Sequence, residues 1–310
     1  MTEITKWYRG MAISEPGIYS GVPMHVYHSQ KLCDGPSISS SGLRRIFNES
    51  PAHFHAYWDG NPEREDAPES AAFTLGRAAH HLLLGEDDFS TLFIGRPEEI
   101  GGKPWQGNRT ECRTWLADQA KAMRTVLKPE EIRIIRGMAG SLAAHPLVKN
   151  GALNGMVEMT LVWRCKDTGL WKKSRPDVIP NDSGDFVDMK TTLSVLRDDL
   201  QRTVASFGYH MQGSLVHEGW HAITGRAAES FTLCFVEKAP PYCVRFVTLW
   251  HEDMMRGERQ NYAAMATFAK CLKTGEWPGP GGADAEYLAL PEWATKKIDF
   301  QIERMEAEAA

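Results

Sequence analysis

Asp177, Asp188 and Lys190 are the residues of this chain whose types and spacing point to chemistry. They lie in WKKSRPDVIPNDSGDFVDMKTT, residues 171 to 192, where two short β-like runs flank a turn-forming segment from Ile179 to Asp185. The pattern predicts a hairpin with one aspartate on each arm. Side chains two apart on a strand share a face, so Asp188 and Lys190 point the same way. Two carboxylates and an ammonium converging on one spot suit hydrolysis of a phosphodiester. The carboxylates can hold Mg²⁺, which keeps several waters, polarises a phosphate and lowers the pKa of an attacking water. The lysine orients that water or offsets charge building on phosphorus. A hairpin with a surface ion pair carries the same pattern, so these residues alone leave both readings open.

The elements that must position them can be read around this hairpin. Met156 to Trp163 alternates around Glu158 and predicts a strand, followed after a Lys-Asp-Thr-Gly turn by a second from Gly169 to Ile179. In an antiparallel meander Glu158 could reach the same spot, or it could be a solvent-facing strand glutamate. Downstream, Ser194 caps a helix to about Ser206, and Phe207 to Thr224 forms the next. Strands follow at Phe231 to Glu237 and Tyr242 to Leu249, then a long helix from His251 to Thr274. Upstream, Ser37 to Ser41 caps a helix through Phe47, and Pro51 opens another. The aromatics Phe47, Phe54, Tyr57 and Trp58 read as core. Ser70 to Leu84 predicts a helix in which His80 and His81 interrupt an apolar pattern. Ile94 to Asn108 reads as a loop with Lys103 and an exposed Trp105; these either meet DNA, at a phosphate and a terminal base pair, or ride on a mobile loop. Helices are expected from Thr110 to Leu127 and from Glu130 to His145.

The chain thus divides into an extended lead-in (1–36), one domain with a helical N-terminal half (37–275), and a peripheral or poorly ordered tail (276–310). With 310 residues and 42% hydrophobic content it can bury a sizeable core. No apolar run approaches a membrane span, and MTEITKWYRG lacks a signal-peptide core, so a cytoplasmic protein is expected. The six cysteines form no CxxC, which argues against a disulfide framework, a Cys-rich zinc site or an iron-sulfur cluster. A net charge of −5 is not what a surface coated for DNA binding would show, but it leaves room for basic groups lining a groove or central channel, so charge alone does not decide.

Pro176-Asp177 followed by Asp188-Met189-Lys190 resembles the PD-(D/E)XK nuclease superfamily. LGRAAHHLLLGEDDF (75–89), YHMQ (209–212) and SISSSGLRRIFNESPAHF (37–54) are similar to its RecE-type branch, exonuclease eight and its phage and prophage relatives, over roughly residues 15 to 275. The resemblance implies an α/β fold with a restriction-endonuclease-like core, a central mixed sheet flanked by helices. It implies that His80, placed by GxxxH after Gly76, binds one Mg²⁺ (or Mn²⁺ as substitute) with Asp177, Asp188 and the backbone carbonyl of Met189. Glu158 is implied as an outer or second-metal ligand, and Lys190 as the residue that positions water. Tyr209 and Gln212 are implied to support the active site and contact the DNA backbone, and Arg175 to contact DNA. The implied activity is a 5′-to-3′ exonuclease on linear duplex DNA that leaves 3′ overhangs for phage-type recombination. The implied partners are a single-strand annealing protein and further copies of the chain in a ring, such as a tetramer. An endonuclease or single-strand nuclease of the same superfamily, or a cleavage-poor recombination scaffold, are the alternatives. His217-Glu218-Gly219-Trp220-His221 also matches the zinc peptidase pattern HExxH. With eleven histidines a chance match arises at roughly a few per cent, a helix-weakening glycine sits inside, no downstream pattern clearly supplies a third ligand, and the motif lies in the nuclease-like helix after Gln212.

Overall fold

A computed structural model of the protein describes residues 3–65, 75–80, 89–180 and 183–309. In it, both predicted strand runs that lead into the hairpin are cut in two by the residues that carry charge. The first breaks at Glu158, whose φ of 55° lies in the left-handed region, giving strands Gly155–Val157 and Thr160–Arg164. The second breaks at Arg175-Pro176-Asp177, giving Trp171–Ser174 and Val178–Pro180. The residue before a proline is pushed away from helical conformations, and the proline itself has no N–H for a ladder, so a strand ends naturally there.

The halves join different sheets. One five-stranded sheet runs, edge to edge, through Ile4–Lys6, Gly17–Ser20, Thr160–Arg164, Trp171–Ser174 and Ser37–Ser39. The other runs through Val244–Thr248, Ser230–Glu237, Asp185–Thr192, Val178–Pro180 and Gly155–Val157. Each contains parallel and antiparallel pairs, and helices pack on them, so the architecture is the mixed α/β class that the sequence resemblance implies.

Alternation along Asp185–Thr192 sorts its side chains onto two cores. Phe186 faces a large cluster with Phe231, Phe235, Trp163, Leu215 and Phe268, into which the helices Ser40–Asn48, Tyr209–Thr224 and His251–Thr274 also pack. Val187 and Met189 face a second cluster with Phe93, Ile135, Met138 and Leu142, covered by helix Pro129–Ala144. Asp188 and Lys190 therefore share the Phe186 face. The helix predicted from Thr110 to Leu127 spans Thr110–Lys121, and Thr125–Leu127 forms a short strand beside Phe93–Gly95. Residues 94–108 are not a plain loop: Glu99–Ile100 and Lys103–Pro104 pair across Gly101 and Gly102, both with positive φ, as a tight hairpin requires. Phe54 is core, but Phe47 is 45% exposed. Gly208, with φ 63°, separates helix Arg197–Phe207 from Tyr209–Thr224. The five described cysteines other than Cys243 are buried, and all six are free.

The chain forms two compact units, 1–278 and 279–310. The lead-in belongs to the first and contributes two strands to a sheet rather than an extended wrapping alone. The second contains helix Glu292–Ala309, which buries none of its side chains. Among the described residues no helix is long and apolar enough to cross a membrane.

Two tests follow from this packing. A Cβ at Gly257 would lie 2.4 Å from the His210 carbonyl oxygen, which is backbone and cannot swing aside. Gly257→Ala is therefore expected to separate two core helices and cost about 1–3 kcal/mol, read as a lower urea midpoint with an unchanged slope. Lys173 is 2% exposed and donates to the Ser29 carbonyl at 3.0 Å. Burial pulls its ammonium down to about 8 from an ordinary 10.5. Between those values the unfolded chain keeps the proton and the folded one releases it, so stability rises with pH. The stability difference between wild type and Lys173→Met should grow in favour of wild type from pH 8 to pH 10, by at most about 3 kcal/mol.

Candidate active site

The sheet register sets the site. Val178 pairs antiparallel with both Val187 and Val157, so the next position along places Asp177 between Asp188 on one side and Glu158 on the other. Glu158 N–H donates to the Asp177 carbonyl at 3.1 Å, which continues that row. Three carboxylates thus line up in one row, Asp188 within its strand and Asp177 and Glu158 just beyond the ends of theirs, at the point where the two sheets part.

His80 closes over this row from the helical segment 75–80. Its Nε2 lies 2.8 Å from Asp177 Oδ1 and its Nδ1 3.3 Å from Glu158 Oε1. His80, Glu158 and Asp177 each offer one ligand atom within 4.8 Å of the other two, a grouping suited to a metal ion. One imidazole nitrogen and two carboxylates form a mixed, oxygen-rich donor set that fits a divalent cation. His81 lies outside the described residues, as do the ends of the predicted helix 70–84.

Asp188 is held back from that grouping. It is 1% exposed; Gln212 Nε2 donates to its Oδ1 at 2.8 Å and the Lys190 ammonium pairs with its Oδ2. The metal set expected from sequence was His80, Asp177 and Asp188, with Glu158 further out. In the structure Glu158 lies in the ligand-spaced group with His80 and Asp177, while Gln212 and Lys190 engage the oxygens of Asp188. Gln212 therefore acts on a carboxylate.

Charge is distributed unevenly along the row. Burial pushes Asp177 up, but His80, Lys190 and the Met189 N–H, which donates to Asp177 Oδ2 at 2.5 Å, outweigh it and hold the carboxyl below its ordinary value. Burial and then the charge of Asp177 push Asp188 up to about 6, against the pull of Lys190. For Lys190 burial alone would lower the pKa, but Asp188 and Asp177 hold it up to about 12, a fixed cation at neutral pH. Tyr209 lies with its ring 5.2 Å from the Lys190 ammonium and stacks on Phe207.

Arg175 turns inward. Its side chain is 8% exposed, and its guanidinium meets Glu158 Oε2 at 3.5 Å, takes Thr160 Oγ1 at 2.9 Å, and donates to the Val22 carbonyl. The Tyr27 ring covers it, centroid to Cζ 5.1 Å. Such a cation orients Glu158 and offsets the left-handed backbone there. Arg44 was missed by sequence reasoning. It donates to the Phe207 and Ser40 carbonyls, and Asp188 and Tyr209 act on it electrostatically. No local pattern flags it, because only the packing of helix Ser40–Asn48 on Tyr209–Thr224 brings it near. Lys103 and Trp105 lie on the small hairpin. Lys103 is exposed, whereas Trp105 is half-buried, edge-on to Trp115 at 5.6 Å with Arg96 over its face at 5.4 Å.

The HExxH stretch does not assemble a peptidase. Glu218 is taken by Lys172, at 2.7 and 3.0 Å, and by the Trp163 indole N–H at 3.1 Å. His217 sits between the Phe186 and Phe231 rings. Among the described residues the grouping with metal-ligand spacing is the one at His80.

Loss of an outer partner of a ligand typically weakens metal affinity about 10- to 100-fold. Arg175→Met should therefore weaken Mn²⁺ binding by at least about 10-fold in titration calorimetry, while Arg175→Lys restores part of it. Equal affinity in all three would show that Glu158 needs no positioning.

The chain matches the model of the PDDEXK-like domain of unknown function, DUF3799, over residues 39–290. No curated protein matches it. Among solved structures, an exonuclease candidate from Eubacterium rectale is 14% identical, with 82% of this chain and 90% of that one covered and a TM-score of 0.55. A phage-related exonuclease from Haemophilus somnus 129PT is 11% identical, with 78% and 97% covered and a TM-score of 0.32. An alkaline exonuclease from Laribacter hongkongensis is 13% identical, with 55% and 87% covered and a TM-score of 0.24. The first shares the fold; the other two superpose too loosely to bear on it. With the family model spanning most of the chain and the row of carboxylates and Lys190 set in the fold, the chain belongs to the PDDEXK-like family DUF3799.

Proposed function

We propose that the protein is a metal-dependent nuclease, and specifically a 5′-to-3′ exonuclease that degrades one strand of linear duplex DNA and leaves 3′ overhangs. The observation that carries this reading is the conjunction of His80, Glu158 and Asp177 in one ligand-spaced group with Asp188 and Lys190 on the adjoining strand. His80, Asp177 and Glu158 would hold the cation, Mg²⁺ with Mn²⁺ as substitute, and Asp188 and the Met189 carbonyl would join it. A bound divalent ion supplies Lewis-acid polarisation of the scissile phosphate. Lys190, held charged by its carboxylate neighbours, orients the attacking water and offsets charge on the phosphate oxygens. Gln212 and Tyr209 fix Asp188 and Lys190 in place, and Lys103 is available to the DNA backbone. The reading extends to a ring-shaped homo-oligomer such as a tetramer, to a single-strand annealing partner in phage-type recombination, and to action in the cytoplasm.

The test is digestion of linear and covalently closed duplex DNA with Mg²⁺ or Mn²⁺, with 5′ and 3′ ends labelled separately. Early release of 5′ label, no cleavage of circles, and silence of Asp177→Asn and Lys190→Ala are expected. Lys190→Ala should retain Mn²⁺ binding while turnover falls by at least about 10³-fold, a loss of the size found when one charge-stabilising donor is removed. Cut circles would move the activity to an endonuclease, and intact DNA throughout would leave a DNA-binding scaffold.

A further inference from the structure

Away from the carboxylate row, a cavity of about 660 Å³ opens between helix Arg197–Phe207, the outermost strand Val244–Thr248 and the start of helix His251–Thr274. Along the strand side Arg245, Val247 and Leu249 alternate onto one face, and Leu200 and Val204 of the helix close the floor. The floor is aliphatic. The rim is cationic: Arg197, Arg245 and Arg256 line it, against a single carboxylate, Asp253, which already pairs with Arg256 at 2.6 Å. With Arg256 paired to Asp253, the net positive charge of the rim rests on Arg197 and on Arg245, which also donates to the Val195 carbonyl at 2.8 Å. Large apolar side chains stand exposed beside it, Trp250 at 75% and Leu196 at 68%.

We propose that this groove docks an acidic segment of a partner protein, its carboxylates on the arginine rim and its aliphatic side chains on the floor. Guanidinium and carboxylate match in planar, two-pronged geometry, which favours carboxylate ligands on such a rim. An apolar trough bounded by charge is how extended or helical peptide segments are recognised. Single-stranded nucleic acid is disfavoured as occupant, because successive bases need a run of aromatic platforms, whereas this cavity is lined by one indole, Trp250, and one imidazole, His210, which is tied to Gln260 at 2.6 Å. The site is separate from the proposed catalytic row and does not rest on the nuclease reading.

The probe is a fluorescein-labelled peptide of four aspartates followed by two leucines and an isoleucine, read by anisotropy with the full chain. Three comparisons accompany it: the same peptide with lysines for aspartates, a labelled oligothymidine, and the sedimentation behaviour of the protein alone. The acidic peptide should bind, more weakly as salt is raised. Arg197→Glu with Arg245→Glu should weaken it at least about 10-fold while allowing the lysine peptide to bind, a reversal that misfolding would not produce. Trp250→Ala, a change at an exposed side chain, should weaken the aspartate peptide without that reversal. The proposal is overturned by absence of acidic-peptide binding, by binding that the charge reversal leaves unchanged, by preference for the oligonucleotide, or by self-association that the same double variant abolishes.

Discussion

Three carboxylates on one row of a sheet repel one another, and burial removes the water that would screen them. Everything near the row is arranged around that constraint. Glu158 is answered by His80 and Arg175, Asp177 by His80 and a backbone N–H, Asp188 by Lys190 and Gln212. The compensation is incomplete on Asp188, which is pushed up to about 6 and carries the residual strain of the set. A cation placed among His80, Glu158 and Asp177 would relieve that repulsion, so the arrangement is one that gains from binding metal. Buried like charges are costly to keep without a return, and perturbed groups of this kind concentrate where chemistry is done.

The strand breaks are the structural counterpart of this electrostatics. A single continuous strand through Glu158 would alternate its side chains strictly and could not present Glu158 toward Asp177 while also feeding Thr160–Arg164 into the other sheet. The left-handed turn at Glu158 and the Arg-Pro-Asp break both occur where the sheets diverge, so the divergence and the site are one feature. A non-glycine residue with positive φ costs of order 1 kcal/mol or more. That cost is offset locally by the Arg175 contact and the hydrogen bond to Asp177. Arg175 in turn is seated by Thr160, Val22 and the Tyr27 ring, which ties the segment after strand Gly17–Ser20 and the short helix Met24–His28 to the geometry of the row.

The PDDEXK-like family match spans residues 39–290, and several features within it lie apart from the aspartate–lysine strand. Arg44 beneath the row, the small hairpin carrying Lys103, and the arginine-rimmed groove at the sheet margin are all built from residues distant in sequence from the hairpin. The groove lies at the outermost strand, where a new surface can form with least effect on the core.

Local pattern in the sequence determined a good deal. The period-two alternation placed Asp188 and Lys190 on one face, the turn residues between them set the pairing of Asp177 with Asp188, and the proline and acidic residues at 129–131 marked a helix start. These depend on neighbours along the chain, which a sequence displays directly. The HExxH stretch shows the reverse case. Its spacing is correct for zinc, yet Lys172, from a strand far upstream, takes the glutamate, and no local feature announces that. Likewise only the tertiary structure decided that Glu158 lies in one ligand-spaced group with His80 and Asp177, that Arg175 faces inward, that Trp105 packs on Trp115, and that Arg44 belongs beside the row. Each of those outcomes is a competition among long-range partners for the same oxygen, ring or cavity, and it is settled by sheet register and helix packing that no segment of the sequence contains by itself.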